Sequence, residues 1–340
     1  ADLGAEVIKV EPVEGDRTRH LLGAGAGFFP MFNRNKKSVA IDLRQASGLE
    51  AAIRLASTAD IVVQNFKPGV MRKYGLDYRA LSQLNPRLIY VNHTGFLPGP
   101  YEHRTALDEV VQMFGAIGAM AALMQRAQTG RGQEIDSALF ENNVFLVGQH
   151  MMQFAVTGEA ADPMPNRISA WSVYDVFTVQ DGEQIFLAAV SDAQWRTMCQ
   201  AFGWADLLAN PHYTTNNERV RARPALLADL RARLARMDVE QVAKIFEDNG
   251  LPYAPISKPE QLLDDPHLLA TGGLAEVTLT DGERAGQTAQ TALLPLRMAG
   301  ERLGIRQNPP RLGEHTAELL ASLGYDAAQI SAMQATQAAA

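Results

Sequence analysis

Three short stretches of this chain gather cationic and amide side chains: Asn33-Arg-Asn-Lys-Lys37, Asp42-Leu-Arg44, and Asn65-Phe-Lys-Pro-Gly69 followed by Arg72-Lys73. Guanidinium and ammonium groups set among amides make charge-assisted hydrogen bonds to phosphate oxygens. Any one of these residues alone reads as a solvated surface charge. Three such loops after predicted strands suit a polyphosphorylated, nucleotide-like anion bound at the carboxyl edge of an open α/β sheet. Further along, Arg104-Thr-Ala-Leu-Asp108-Glu-Val-Val-Gln112 and the apolar helical run from Phe114 to Arg126 each read as half of an active-site region, joined only through Met113.

Other chemistries lack their signatures. No Gly-x-Gly-x-x-Gly follows a strand, no Walker lysine loop is present, and no Gly-x-Ser-x-Gly elbow appears. Thr129-Gly-Arg-Gly132 follows a helix instead of opening one, so it reads as a glycine C-cap turning into a strand. His93, His103, His150 and His315 have no metal-ligand spacing with Cys or carboxylates, and no metal is expected. Cys199 is the only cysteine, which excludes an intrachain disulfide and reads as a small buried apolar residue.

The elements that must position these loops follow from periodicity. Apolar runs at 6–10, 38–42, 61–63 and 88–92 read as strands, and 48–56 carries apolar residues at helical spacing. Such alternation predicts a Rossmann-like parallel sheet covered on both faces. The start of the chain reads as a helix end, a Gly stop and a strand, so a strand and most of a helix are expected to precede it. Residues 1–160, with a C-terminal return over 295–340, are expected to form this large domain. Residues 161–185 are expected to form a linker, and 186–294 a smaller α+β domain. Two β-rich runs around Asp181-Gly182 predict a hairpin, and helices are expected near 192–203, 223–236, 239–249 and 317–323. The Ala/Gln-rich last residues are expected to fray.

The chain of 340 residues is 46% hydrophobic, enough for real cores, and its net charge of −7 argues against a nucleic-acid partner. No run approaches a membrane span and no signal peptide opens the chain, so no membrane partner and a cytoplasmic location are expected.

Taken in order, these segments resemble the class III coenzyme A transferases, the CaiB/BaiF family. The resemblance is carried by Ala1-Asp-Leu-Gly-Ala-Glu-Val-Ile-Lys-Val-Glu-Pro12, Gly15-Asp16 with Thr18-Arg19, Asn33 to Leu43, Asp60 to Gly69 and Asn85-Pro-Arg-Leu-Ile-Tyr90. Gly95-Phe96 with Gly99-Pro100, Thr129-Gly-Arg-Gly-Gln133 and Pro310-Arg-Leu-Gly-Glu-His-Thr316 complete it. It implies two-domain subunits in an interlocked, ring-like homodimer, with acyl-CoA and a small carboxylic acid as substrates. Ile41, Asp42, Leu43, Arg44, Asn65, Phe66 and Lys67 match the family's coenzyme A contacts, with Lys73 and Asp108 added. Taken alone, Asp42 reads equally as a turn former at a strand end.

The resemblance also implies covalent catalysis by an aspartate, through an aspartyl anhydride and an aspartyl-CoA thioester. The glycine-rich loop and Asp-x-x-x-Gly motif expected to supply it are not present between Met113 and Phe114, so no catalytic residue is assigned. Asp108 matches a different acid, near the pantetheine. An α-methylacyl-CoA racemase is the alternative in the same fold, but Leu107 stands where racemases place a histidine base. A catalytically inactive coenzyme A-binding dimer is a further alternative. A dinucleotide-dependent oxidoreductase would need the glycine fingerprint that is absent. His150, Met151, Met152 and the 167–171 stretch could line an acyl pocket or simply pack. Oxalate is disfavoured as acceptor because the consecutive-glycine loop of formyl-CoA:oxalate transferases is absent; other small dicarboxylates or a branched acid stay open.

Overall fold

The computed structural model describes residues 1–104, 112–160, 162 and 169–340. The chain divides into two compact units, Ala1–Gly148 with Leu263–Ala340, and Gln149–Leu262.

In the first unit, β1 (Val7–Glu11) runs parallel to β2 (Lys36–Ala40). A second parallel sheet holds β3 (Ile61–Gln64), β4 (Ile89–Thr94) and β5 (Glu134–Ala138) in that order. Parallel neighbours require crossovers. Helix α1 (Ala46–Thr58) leads from β2 of one sheet to β3 of the other, while within the three-stranded sheet the crossovers include α2 (Tyr78–Leu84) and α3 (Gln112–Thr129). In α1 the apolar positions Leu49, Ala52, Ile53 and Ala56 fall on one stripe, which packs with Leu76, Leu81, Leu88 and Tyr90. Asp77 caps α2 by accepting from the Ala80 amide. On the other face of β4, Ile89 and Val91 pack against Ala119 and Ala122 of α3. Helices on both faces explain why the first half of β4, Ile89 to Val91, is apolar and buried.

Helix α3 runs unbroken through Met113 and Phe114. It stops at Gly130, whose φ of +72° is left-handed and whose N–H donates to Arg126 O at 2.8 Å. Gly132 then lies so close to the Leu88 carbonyl that a Cβ there would overlap it. The Thr-Gly-Arg-Gly stretch is therefore a helix stop and a close crossing, as its sequence predicts. Helices α4 (Leu139–Leu146) and α5 (Gly148–Thr157) follow β5.

The second unit carries an antiparallel sheet of β6 (Val173–Thr178), β7 (Gln184–Ala189) and β8 (Tyr253–Pro255). The predicted hairpin forms, with Gly182 at φ +79° in its turn. Helices α6 (Asp192–Ala201), α7 (Arg223–Leu234) and α8 (Val239–Asp248) cover a core that includes Phe177, Leu187, Trp195, Cys199, Leu230 and Phe246. Burial pushes the Cys199 thiol up to about 12.

The return to the first unit begins at Leu263, earlier than the sequence places it. The hairpin of β9 (Leu274–Thr278) and β10 (Thr288–Ala292) belongs there. Two long-range contacts account for the difference: Arg19 donates to Asp281 at 2.8 Å and Arg34 to Ala292 O at 2.8 Å. The 173–189 hairpin, parts of which the sequence reading assigns to a linker, lies in the second unit. The last helices are α9 (Thr316–Ser322) and α10 (Ala327–Ala335). Leu319, Leu320 and Met333 join Val39 and Ile41 in one cluster. The last residues do not fray: Ala338 and Ala339 are fully buried and Ala340 N donates to Ala40 O at 3.1 Å. Small side chains let this backbone lie against β2. Among the described residues, no helix is long and apolar enough to cross a membrane.

Candidate functional site

Residues 41–44 leave the carboxyl end of β2, and 65–73 leave that of β3. Leu43, Met71 and Tyr74 all pack on the cluster of Leu76, Leu81 and Tyr90, which brings both loops to one edge of the unit. Ile41 is buried and bridged to Ala339. Asp42 turns the chain: its Oδ1 accepts from the Arg44 amide at 2.9 Å and from Nε at 2.8 Å, and Oδ2 accepts from Nη2 at 3.2 Å. Those bonds hold the Asp42 carboxyl below its ordinary value. Asp42 in turn holds the guanidinium more firmly protonated, with Glu14 and Tyr74 adding to the effect. Arg44 is exposed, and its Nη1 has no hydrogen-bond partner among the described residues.

In the second loop, Gln64 and Asn92 are cross-strand neighbours on β3 and β4. Gln64 Nε2 donates to Asn92 Oδ1 at 2.6 Å, and its Oε1 accepts from the Phe66 amide at 2.6 Å. Asn92 Nδ2 donates onward to Glu134 at 2.9 Å and Asp136 at 2.8 Å. This chain of amides and carboxylates aims the 65–67 turn, a role the sequence reading does not assign to Gln64 or Asn92. Alternating polar residues at the ends of apolar strands were the available signal. Gly69, at φ +82°, then opens the single helical turn Val70–Lys73. Asn65, Phe66, Lys67 and Lys73 are exposed, and neither lysine ammonium has an ion-pair partner among the described residues. The edge thus offers three cations, an amide and an aromatic face, a set suited to phosphates and a flat ring.

The third cationic stretch is not part of this edge. Residues 33–37 enter β2 at its amino end, and their charges are already used. Arg34 donates to Asp2 at 2.8 Å and to Ala292 O, Asn35 donates to Asp2 at 2.8 Å, and Lys37 pairs with Glu318 at 2.8 Å. Lys36 is held below its ordinary value, by burial first and then by nearby Lys9. The residues around Arg19 are structural as well. Arg19 donates to Glu11 at 2.7 and 2.9 Å and to Pro310 O at 3.1 Å, while Ser38 Oγ donates to Glu11 at 2.6 Å and accepts from the Gly313 amide at 3.0 Å. Burial alone would raise the Glu11 carboxyl, but these donors outweigh it and hold the group low.

At the start of α3, Gly115 packs on the His93 ring so closely that a Cβ would overlap it. Burial lowers the His93 pKa and favours its neutral form. Met151 and Met152 lie exposed on α5, where His150 Nδ1 meets Gln153 Oε1 at 3.3 Å. Leu107 and Asp108, and Arg167 and Ile168 of the suggested acyl-pocket stretch, lie outside the described residues. Among the described residues no three His, Cys, Asp or Glu side chains gather as metal ligands.

Comparison with known proteins matches this geometry to one family. The model of CoA-transferase family III matches residues 1–116 and 112–316, two stretches that meet at the start of α3. An acyl-CoA transferase of Fusarium pseudograminearum is 31% identical over 97% of this chain and 81% of its own length. A succinate–glutarate CoA-transferase of Agrobacterium fabrum is 29% identical over 95% of this chain and 90% of its own. A CaiB/BaiF family protein of Brucella suis superposes with a TM-score of 0.79 at 30% identity, covering 95% of this chain and 93% of that one. With its parallel sheets, its cationic carboxyl edge and a family match along nearly its whole length, the chain belongs to CoA-transferase family III and is a coenzyme A transferase by class.

Proposed function

We propose that the protein moves coenzyme A from an acyl-CoA donor to a free carboxylic acid, with a small dicarboxylate as acceptor. One observation carries the reading: the family match continues on both sides of the α3 start, in a unit whose carboxyl edge presents Arg44, Lys67 and Lys73. The succinate–glutarate activity named for the Agrobacterium relative supports the acceptor class. Residues 41–44, Asn65, Phe66, Lys67 and Lys73 would hold coenzyme A, with Asp108 nearer the pantetheine. In the proposed chemistry an aspartate carboxylate attacks the donor thioester, giving a mixed anhydride and CoA thiolate. The thiolate attacks the aspartyl carbonyl, releasing the donor acid and leaving an aspartyl-CoA thioester. The acceptor carboxylate repeats both steps in reverse. That aspartate is assigned to the family segment that this sequence does not contain between Met113 and Phe114. No residue present is given its role.

The same reading makes the protein a cytoplasmic, interlocked homodimer. In support, large apolar side chains stand exposed on each unit: Met124 and Phe145 on α3 and α4, and Met152, Phe154 and Val156 on α5. The unbroken course of α3 supports a second reading, in which the chain as it stands binds coenzyme A in a dimer without turnover. Calorimetric titration with CoA and exchange of labelled succinate into succinyl-CoA separate the two. Binding with exchange, and an enzyme-bound acyl group trapped by hydroxylamine, is the expected result for the transferase. Binding without exchange selects the inactive dimer, and no CoA binding overturns both.

A further inference from the structure

We infer that residues 336–340 are a positioning element for the coenzyme A loop: they hold the Asp42 backbone in place, and through it the Arg44 guanidinium. This rests on the proposal that Arg44 contacts coenzyme A. The segment runs antiparallel along the end of β2, and its bonds fall on the loop itself. Asp42 N donates to Ala338 O at 3.0 Å, Ile41 is bridged to Ala339, and Gln45 Nε2 donates to Thr336 O at 2.9 Å. Beneath them sits Gly48, where a Cβ would overlap Asp42 O and lie 2.9 Å from Ala338 O, both rigid backbone atoms. Only glycine lets α1, the loop and the segment meet there.

The arrangement does more than bury two alanines. Asp42 reaches Arg44 through both carboxylate oxygens, so fixing the Asp42 backbone fixes the side chain that orients the guanidinium. Arg44 is itself exposed and makes no hydrogen bond or ion pair with 336–340; besides Glu14 at 3.6 Å, its placement depends on this relay. An exposed arginine on a free loop would have to be ordered when the ligand arrives; one held beforehand has lost that entropy in advance. Residues 336–340 lie some 300 residues from the loop and α1 in sequence, which is why no local pattern announces the contact.

The test is a double-mutant cycle read as CoA affinity by titration calorimetry, so it does not depend on turnover. Gly48→Ala forces 336–340 away from the loop and is expected to weaken CoA binding roughly 5- to 30-fold, the loss from re-ordering about one freed backbone residue. Gln45→Ala removes a single bond to Thr336 and is expected to weaken it by a smaller factor, about 2- to 5-fold. It serves in place of Gly48→Ala should that variant not fold. In an Arg44→Ala background both effects should shrink, because the segment acts chiefly through Arg44 and only residues 41–43 are left to respond; a merely structural role would persist there in full. Failure of Arg44→Ala to weaken CoA binding overturns the coenzyme A reading of the loop. A weakened Arg44→Ala beside unchanged Gly48→Ala and Gln45→Ala, or losses that simply add in the double variants, overturns the positioning role alone.

Discussion

Replacing Arg19 by methionine keeps an apolar stem against Phe29, whose ring lies 3.8 Å from the guanidinium carbon, but deletes every polar contact of the buried head. Four hydrogen bonds go: two to Glu11, one to Asp281 and one to Pro310 O. Glu11, only 1% exposed, is left with the Ser38 hydroxyl and the Asp16 amide. Removing one partner of a buried ion pair costs about 3–5 kcal/mol. For a unit of this size that is a fall in Tm of roughly 6–20 °C. The pH dependence identifies the cause. In the parent, the Glu11 carboxyl is held low, so its stabilising contribution is present above the unfolded value of about 4.3 and is lost as pH falls through the folded value. In the variant, desolvation is opposed only by the Ser38 hydroxyl and the Asp16 amide, and it raises the group. The buried charge then destabilises at neutral pH, and protonation relieves it. Scanning calorimetry at about pH 7.5 and about pH 5 should therefore show a gap between parent and variant that narrows at the lower pH. A fall below roughly 2 °C, or an equal fall at both pH values, would refute the ion-pair account.

Gly132→Ala drives a Cβ into the Leu88 carbonyl and should destabilise by about 3 kcal/mol or more, whereas Gly130→Ala, at φ +72° with open space beside it, should lose only about 1–2 kcal/mol. Denaturant unfolding that reversed this order would mean that the turn was misread. Cys199, its thiol pushed up to about 12, should resist thiol-specific dyes until the second unit unfolds; labelling within minutes of the native protein would contradict its burial. Phe145→Glu and Val156→Glu, at side chains of residues 74% and 77% exposed, should each weaken self-association roughly tenfold or more in sedimentation equilibrium. Unchanged association for both would remove these helices from the proposed dimer interface.

Strands β1 to β4, helix α1 and the end of α3 were legible because their signals are local: apolar runs of strand length, helical spacing in α1, a glycine after α3. The 41–44 and 65–73 loops could be placed at the carboxyl edge once those strands were drawn. What sequence could not supply was the fate of charges. Lys36 and Lys37 look like Arg44 and Lys67 in one dimension, yet the first pair opens its strand and meets Glu318 and buried surface, while the second follows its strands and stays exposed. The alanines after α10 read as a fraying end because their strand-like pairing depends on an edge some 300 residues away. Gln64 and Asn92 were missed for a related reason: their bond exists only in the sheet register.

The Arg19 contact with Pro310 and the pairing of Ala40 with Ala340 make the first unit a body closed by its latest-synthesised part. The second unit is one uninterrupted stretch, Gln149–Leu262, and depends on no later residue for its core. On the ribosome the inserted unit can complete its fold while the end of β2, which precedes it, still awaits its last partners. Until Pro310 emerges, Glu11 and Arg19 lack their lasting environment, and until 338–340 emerges, β2 keeps an open edge. Closing loops of this length is slow relative to local folding. The nascent chain therefore passes through an interval in which the unit proposed to bind coenzyme A is the unfinished one and exposes unpaired strand to its neighbours.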